Sequence, residues 1–325
     1  VKRVDKSLFL DSSKSVSLKE GVVIKSTGSW YNVKTDDESP VSCKIKGKFR
    51  LDGLKSTNPV AVGDRVKYSI DPATGTGIIE EIRERQNYIV RRSSNLSRQT
   101  QILAANIDQA IIVATINYPV TTPVFIDRFL ASTEAYDIPT TIIFNKIDRY
   151  DHFHKDQLTE SVEMYQNIGY NVLTTSARYD KDLGRIKDLL IDKVSLLAGH
   201  SGVGKSTLIN RIEPSLNLKT GRISDRYHTG RHITTFSEMH PLSFGGFIID
   251  TPGIRGFGLF NIEKEELAHF FREIFKVAPN CRFYNCTHMH EPGCAVKEAV
   301  ENGEIASSRY KSYVSIFLNR DEKYR

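Results

Sequence analysis

Gly199-His-Ser-Gly-Val-Gly-Lys205-Ser206 matches the pattern G-x-x-x-x-G-K-[ST], and it constrains the fold more than any other stretch of the chain. Such a loop works only between a buried strand and a helix, where its backbone N–H groups can curl around phosphate oxygens. That context is present: KVSLLAG is an apolar strand candidate and STLINRI a helix candidate. The expected phosphate site is therefore Gly199, His200, Ser201, Gly202, Val203, Gly204, Lys205, Ser206 and Thr207. Lys205 would reach the β and γ phosphates, and the Ser206 hydroxyl would ligate Mg²⁺.

Phe144-Asn-Lys-Ile-Asp148 ends an apolar strand, so it lies at the carboxyl edge of a sheet, where ligands bind. Asp148 can accept from both N1–H and N2–H of guanine, Asn145 can meet O6 or N7, and the Lys146 stem can pack on the ring. Adenine offers no such paired donors, which selects GTP and GDP over ATP. TTSAR follows one strand-helix-strand step later, and its Ser176 and Ala177 complete the base site, with the Ala177 N–H available to O6. Downstream of the phosphate loop, IIDTPG supplies Asp250 to the Mg²⁺ shell and the Gly253 N–H to the γ-phosphate. GRHITT, residues 230–235, lies between them as a switch-loop candidate with a Mg²⁺-ligating Thr.

Every part of a GTPase site is present, but the base-reading motifs precede the phosphate-binding ones. A circular permutation gives that order, G4-G5-G1-G2-G3, with the sheet unchanged and the chain ends moved. Strands alternating with helices from Asp108 to Asp250 predict a parallel sheet covered on both faces.

Before this region, GVVIKSTG, SWYNVKT, PVSCKIKG, DRVKYSID and GTGIIEEI read as five short strands separated by turn residues. Five strands in this length predict an all-β OB-fold barrel, with an SH3-like barrel as the competing architecture. Lys44, Lys46, Lys48, Arg50, Lys55, Arg65 and Lys67 interleave with Trp30, Tyr31 and Phe49. That combination suits RNA, although alternating lysines also serve a barrel's wet face. The polar, basic segment NYIVRRSSNLSRQTQ is expected to link the barrel to the nucleotide-binding domain.

Cys281, Cys286 and Cys294 crowd near the C-terminus, whereas Cys43 stands alone. Three thiolates and one imidazole make a closed tetrahedral Zn²⁺ site with no position for water, hence a structural one. His288 and His290 both qualify as the fourth ligand. Helices are expected at EKEELAHFFREIFK and around SSRYKSYVSIFLNR. The latter carries Arg309, Lys311 and Arg320, suited to RNA or simply to solvent.

The 325 residues are 39% hydrophobic and carry a net charge of +6, as a soluble multidomain chain would. No apolar stretch approaches the ~20 residues needed to span a bilayer, so the expected location is the cytoplasm, with no membrane partner. The expected division is residues 1–92, barrel with N-terminal tail; 93–261, permuted GTPase domain; and 262–325, a small helical zinc-binding domain.

The order of barrel, NKxD, SA, phosphate loop, GRHxTT, DTPG and Cys-x₄-Cys-x-His-x₅-Cys resembles the ribosome small-subunit-dependent GTPase A family (RsgA, or YjeQ) over nearly the whole chain. The resemblance implies an N-terminal OB-fold, a circularly permuted GTPase domain and a zinc domain, working as a monomer. It also implies binding to the small (30S) ribosomal subunit and its 16S rRNA late in maturation, with hydrolysis stimulated by the subunit and coupled to release. A GTP-gated rRNA-binding module, in which hydrolysis is only a reset, is the alternative. Family spacing selects Cys281, Cys286, His288 and Cys294 as zinc ligands. The commoner GRHTTT is interrupted here by Ile233, so the Mg²⁺ ligand is Thr234 or its neighbour Thr235, with Thr234 assigned. Ile254 occupies the position where many GTPases place the water-orienting Gln. An apolar side chain cannot polarise water, so intrinsic hydrolysis should be slow. The resemblance supplies His232 as the catalytic residue.

Overall fold

The computed structural model describes residues 17–35, 39–45, 59–92, 100–181, 183–218, 237–250 and 263–318. The expectations for His232, Thr234, Thr235, Gly253 and Ile254, and for Lys46, Lys48, Phe49, Arg50, Lys55 and Arg320, lie outside the described residues, as does the Asp250 side chain.

The first five strands are β1 (Lys19–Thr27), β2 (Trp30–Lys34), β3 (Val41–Ile45), β4 (Arg65–Ile70) and β5 (Gly77–Ile82). They run β1-β2-β3-β5-β4, and β4 returns to pair with β1, closing a barrel. The β3–β5 pair is parallel and the others are antiparallel, which is the OB connectivity expected from the sequence. Alternation decides which side chains fill it: Tyr31 and Val33 point inward with Val23, Cys43, Val66, Tyr68 and Ile79, leaving Trp30 outside. Gly77 is required because a Cβ there would stand 2.2 Å from Cys43 Sγ.

The expected link is a hairpin at both its ends: β6 (Tyr88–Arg92) pairs antiparallel with β7 (Thr100–Ala105). Buried Asp64 fastens the barrel here, accepting from Arg85 Nε and Nη2 at 2.6 and 2.7 Å and from the Ala61 N–H at 2.7 Å.

The nucleotide-binding region contains β8 (Gln109–Ala114), α1 (Pro123–Glu134), β9 (Thr140–Phe144), α2 (His152–Ile168) and β10 (Asn171–Thr174). It continues through α3 (Gly184–Leu190), β11 (Val194–Ala198), α4 (Lys205–Ile212), β12 (Glu238–Pro241) and β13 (Phe247–Asp250). The strand order is β10-β9-β8-β11-β13-β12, parallel except for β12. Side-chain alternation divides two cores. Ile112, Ala114, Ile142 and Leu196 face α1 and α2, whereas Ile111, Val113, Ile143 and Leu197 face α3 and α4. Both faces are covered, so β8 and β9 are buried at every residue, the polar Gln109, Thr140 and Thr141 at their starts included.

One contact makes barrel and sheet continuous. Lys25 of β1 registers with Glu238 of β12, and their side chains pair at 3.1 Å.

At the C-terminal end, a 3-10 segment, Lys264–Phe270, precedes α5 (Arg272–Val277), α6 (Ala295–Glu301) and α7 (Ser307–Phe317). The helix expected over EKEELAHFFREIFK thus breaks at Phe271, whose backbone is extended (φ −112, ψ 98). The break sends the Phe271 ring into the core, fully buried, where it meets Tyr313 edge-on at 5.5 Å. This unit packs on α1, sharing its core with Val124 and Ala131.

Candidate nucleotide site and metal cluster

The carboxyl ends of β8, β9, β10 and β11 converge on one edge of the sheet, because parallel strands of similar length all end on the same side. The phosphate loop leaves β11 with Gly199 at φ +138, Gly202 at +84 and Gly204 at +102, a backbone path open chiefly to glycine. Space gives a second reason. A Cβ on Gly199 would lie 2.3 Å from the Val113 carbonyl oxygen, and one on Gly204 would lie 2.4 Å from Asn145 Nδ2. Ser206 and Thr207 follow in the first turn of α4. Lys205 Nζ donates to the carbonyls of Gly199 and His200 at 2.7 and 2.9 Å.

The two motifs that the sequence keeps far apart are joined by Asn145. Its side chain is buried; Nδ2 donates to the Val203 carbonyl at 2.8 Å, and Oδ1 accepts from the Ala177 N–H at 2.8 Å. One amide thus ties the end of β9 to the phosphate loop and to the turn after β10. Lys146, in the left-handed region at φ +64, extends its Nζ to the carbonyls of Tyr118 and Gly202, each at 2.6 Å. Its pKa is lowered, first by burial and then by the neighbouring Arg149, with Asp148 opposing. Asp148 accepts from the Ser176 hydroxyl at 2.5 Å, which fixes the carboxylate's plane. A carboxylate, a lysine stem and a glycine-rich anion loop therefore share one sheet edge. That set can hold a purine by its polar edge and its phosphates by the backbone.

The residues after β8 were not singled out in the sequence, yet they form the loop's outer wall. Pro119 lies 3.6 Å from where a Gly202 Cβ would be, and Phe125 at the start of α1 stacks on His200. Their signal in the sequence is only INYPVTTP, a turn-rich stretch with no motif.

In the C-terminal unit, ligand atoms of Cys281, Cys286, His288 and Cys294 all lie within 4.8 Å of one another. His288 Nδ1 is 3.6 Å from Cys281 Sγ and 3.5 Å from Cys294 Sγ, and the two sulfurs are 4.0 Å apart. A tetrahedral zinc shell with bonds of about 2.0–2.3 Å spaces its ligands by roughly 3.5–3.8 Å, so this Cys₃His set fits the metal. His290 is not part of the group. Glu291 organises the loop: its carboxylate accepts from the N–H groups of Thr287, Met289 and His290 and from the Thr287 hydroxyl. Burial would raise its pKa, but these hydrogen bonds prevail and hold it at about 2. Tyr310 and Tyr313 of α7 donate to the carbonyls of His288 and Thr287 at 2.6 and 2.8 Å, fastening the loop to the last helix.

The family model for the RsgA GTPase matches residues 82–260, and that for the RsgA N-terminal domain matches residues 20–79. The chain belongs to the RsgA GTPase family. It is 55% identical over 307 residues to the small ribosomal subunit biogenesis GTPase RsgA 2 of Bacteroides thetaiotaomicron, covering 94% of this chain and 99% of that relative. The RsgA of Bacteroides fragilis matches with the same identity and coverage. Among solved structures, YjeQ from Thermotoga maritima superimposes with a TM-score of 0.75 at 35% identity, covering 95% of this chain and all of that one. YloQ, described as a circularly permuted GTPase, matches with a TM-score of 0.70 at 33% identity, over 96% of this chain and 98% of its own. RsgA membership makes this chain a GTP-hydrolysing enzyme, and its sheet carries the Asn-Lys-x-Asp strand β9 ahead of β11 and the glycine-rich loop. Among the described residues, no helix is long and apolar enough to cross a membrane.

Proposed function

We propose that this chain binds the small ribosomal subunit through its 16S rRNA, assists the subunit's late maturation in the cytoplasm, and leaves when it hydrolyses GTP. The observation that carries the reading is Asn145, which joins a guanine-type strand end to a phosphate loop in one buried hydrogen-bond set. The names of the relatives supply the ribosomal partner. In this reading Asp148 accepts from the guanine edge while Lys146, Ser176 and Ala177 frame it. Residues 199–207 cradle the phosphates, and Ser206, Thr234 and Asp250 share Mg²⁺, with Gly253 at the γ-phosphate. His232 orients the attacking water, and the Cys₃His cluster holds one structural Zn²⁺. The proteins act as monomers divided at residues 92/93 and 261/262.

Ile254 cannot orient water, so hydrolysis by the free protein is slow and the subunit completes the site. The test is GTP turnover by purified protein with and without small subunits, at low and high salt. Stimulation that fades with salt supports a ribosome-gated enzyme held by phosphate contacts. Unchanged slow turnover removes the ribosome from the mechanism. His232→Ala should retain GTP binding and lose the stimulated rate; retention of that rate would discard the catalytic assignment.

A further inference from the structure

Phe125 and His200 are stacked, with ring centroids 3.8 Å apart and planes inclined by 27°. His200 is the second residue of the phosphate loop, and its carbonyl, with that of Gly199, accepts from the Lys205 ammonium. Gly199 lies in backbone space that side chains rarely enter, so its own torsions do little to restrain the peptide that follows. The restraint must come from contacts, and the imidazole on the Phe125 ring is one such contact.

Phe125 is itself well held. It sits in the first turn of α1, where the Thr122 side chain caps the helix by accepting from the Phe125 N–H at 3.4 Å. Its ring is buried in the core between α1 and the sheet. Farther along the same helix, Asp127 is anchored to the C-terminal unit by Arg309. A ring on a helix pinned from both sides is a firm platform for a loop rich in glycine.

We infer that Phe125 is a positioning residue for the phosphate loop: it fixes the His200 imidazole, and thereby the two carbonyls that aim Lys205 at the β and γ phosphates. The inference rests on the GTP-binding reading above. It carries a signature that a general packing role lacks, because Lys205 acts on the outer phosphates and not on the base. Loss of the stack should weaken nucleotides according to how many phosphates they carry.

The experiment is equilibrium titration of full-length wild type, Phe125→Leu, Phe125→Tyr, His200→Ala and the double variant Phe125→Leu/His200→Ala with GTP, GDP and GMP. Phe125→Leu and His200→Ala are expected to weaken GTP by about five- to tenfold, the scale of one aromatic pair, with GDP less affected and GMP within about twofold. Phe125→Tyr keeps the ring and should lose less GTP affinity than Phe125→Leu. The double variant should be no weaker than either single one, since both remove the same contact. Equal losses for all three nucleotides, or GTP affinity unchanged in Phe125→Leu, would overturn the inference while leaving GTP binding intact. Failure of the wild type to bind GTP or GDP would overturn the proposed function and this inference together.

Discussion

Arg309, on the last helix, donates to Asp127 of α1 at 2.7 Å, across 182 positions of sequence and with both side chains buried. The same guanidinium donates to both oxygens of Glu273 at 2.6 and 3.1 Å, and Tyr165 donates its hydroxyl to Asp127 at 2.8 Å. This set joins the C-terminal unit to the GTPase sheet. Arg309→Met should cost about 3–5 kcal/mol, because it strands the fully buried Asp127 carboxylate and leaves the partly buried Glu273 without this partner. Arg309→Met/Asp127→Leu should recover part of that loss. Thermal unfolding of the three proteins checks it, and a single substitution that leaves the midpoint unchanged would show the pair to be dispensable.

Base selectivity should follow Asp148. Asp148→Asn replaces one acceptor with a donor, so guanine's N1–H and N2–H no longer both find partners. GTP affinity should fall by at least about 10²-fold, while xanthosine triphosphate, which carries a carbonyl where guanine has its amino group, should gain. Competition titrations with the two triphosphates test this; equal weakening of both would place base reading elsewhere.

Glu213 sets an acid limit on stability. Its carboxylate accepts from Ser215 Oγ and, at 2.6 Å, from the Ser243 N–H, which ties the end of α4 to the turn between β12 and β13. These hydrogen bonds hold its pKa down at about 2, against an unfolded value near ~4.3. A depressed carboxylate contributes its full stability above the unfolded value and loses it as pH falls toward the folded one. Glu213→Gln should therefore be less stable than wild type by about 1–2 kcal/mol at neutral pH. The gap should close as pH falls from about 4.5 toward 2. Melting midpoints of the pair across that range decide it; a gap that widens on acidification would reverse the assignment.

Zinc should be stoichiometric and structural. Metal analysis of purified protein is expected to give one zinc per chain, and Cys294→Ser should abolish tight retention. Because the loop from Cys281 to Cys294 shares its core with α5, α6 and α7, metal loss should lower the thermal midpoint of the whole unit. A metal-free protein that melts as the loaded one does would make the cluster incidental.

Legibility in the sequence followed how local each signal was. The five barrel strands and the strand–helix alternation announced themselves through residue periodicity, and the phosphate loop through glycines at positions that demand them. β12 escaped because Glu238-Met-His-Pro has only Met239 buried and no pattern to read. The segment NYIVRRSSNLSRQTQ, which contributes to β6 and β7, reads as a linker because its polar residues outweigh Ile89 and Val90, which are buried only through tertiary contacts. α6 was hidden behind the cysteine cluster that precedes it. The break at Phe271 depends on a core assembled from residues far along the chain. Within the site, residue types were legible and partnerships were not. Asn145 reads as a base contact, and only the fold reveals that its amide is committed to Val203 and Ala177.

The register between Lys25 and Glu238 has a consequence for how this molecule meets copies of itself. An open sheet ends in rows of unpaired amides that any other extended chain can extend. Here the barrel takes up one end, and since the barrel closes on itself it passes no such row onward. The opposite end is β10, Asn171–Thr174, only four residues long. Among the described residues the main sheet thus offers another extended chain little strand to pair with, protection that comes from architecture rather than from surface charge.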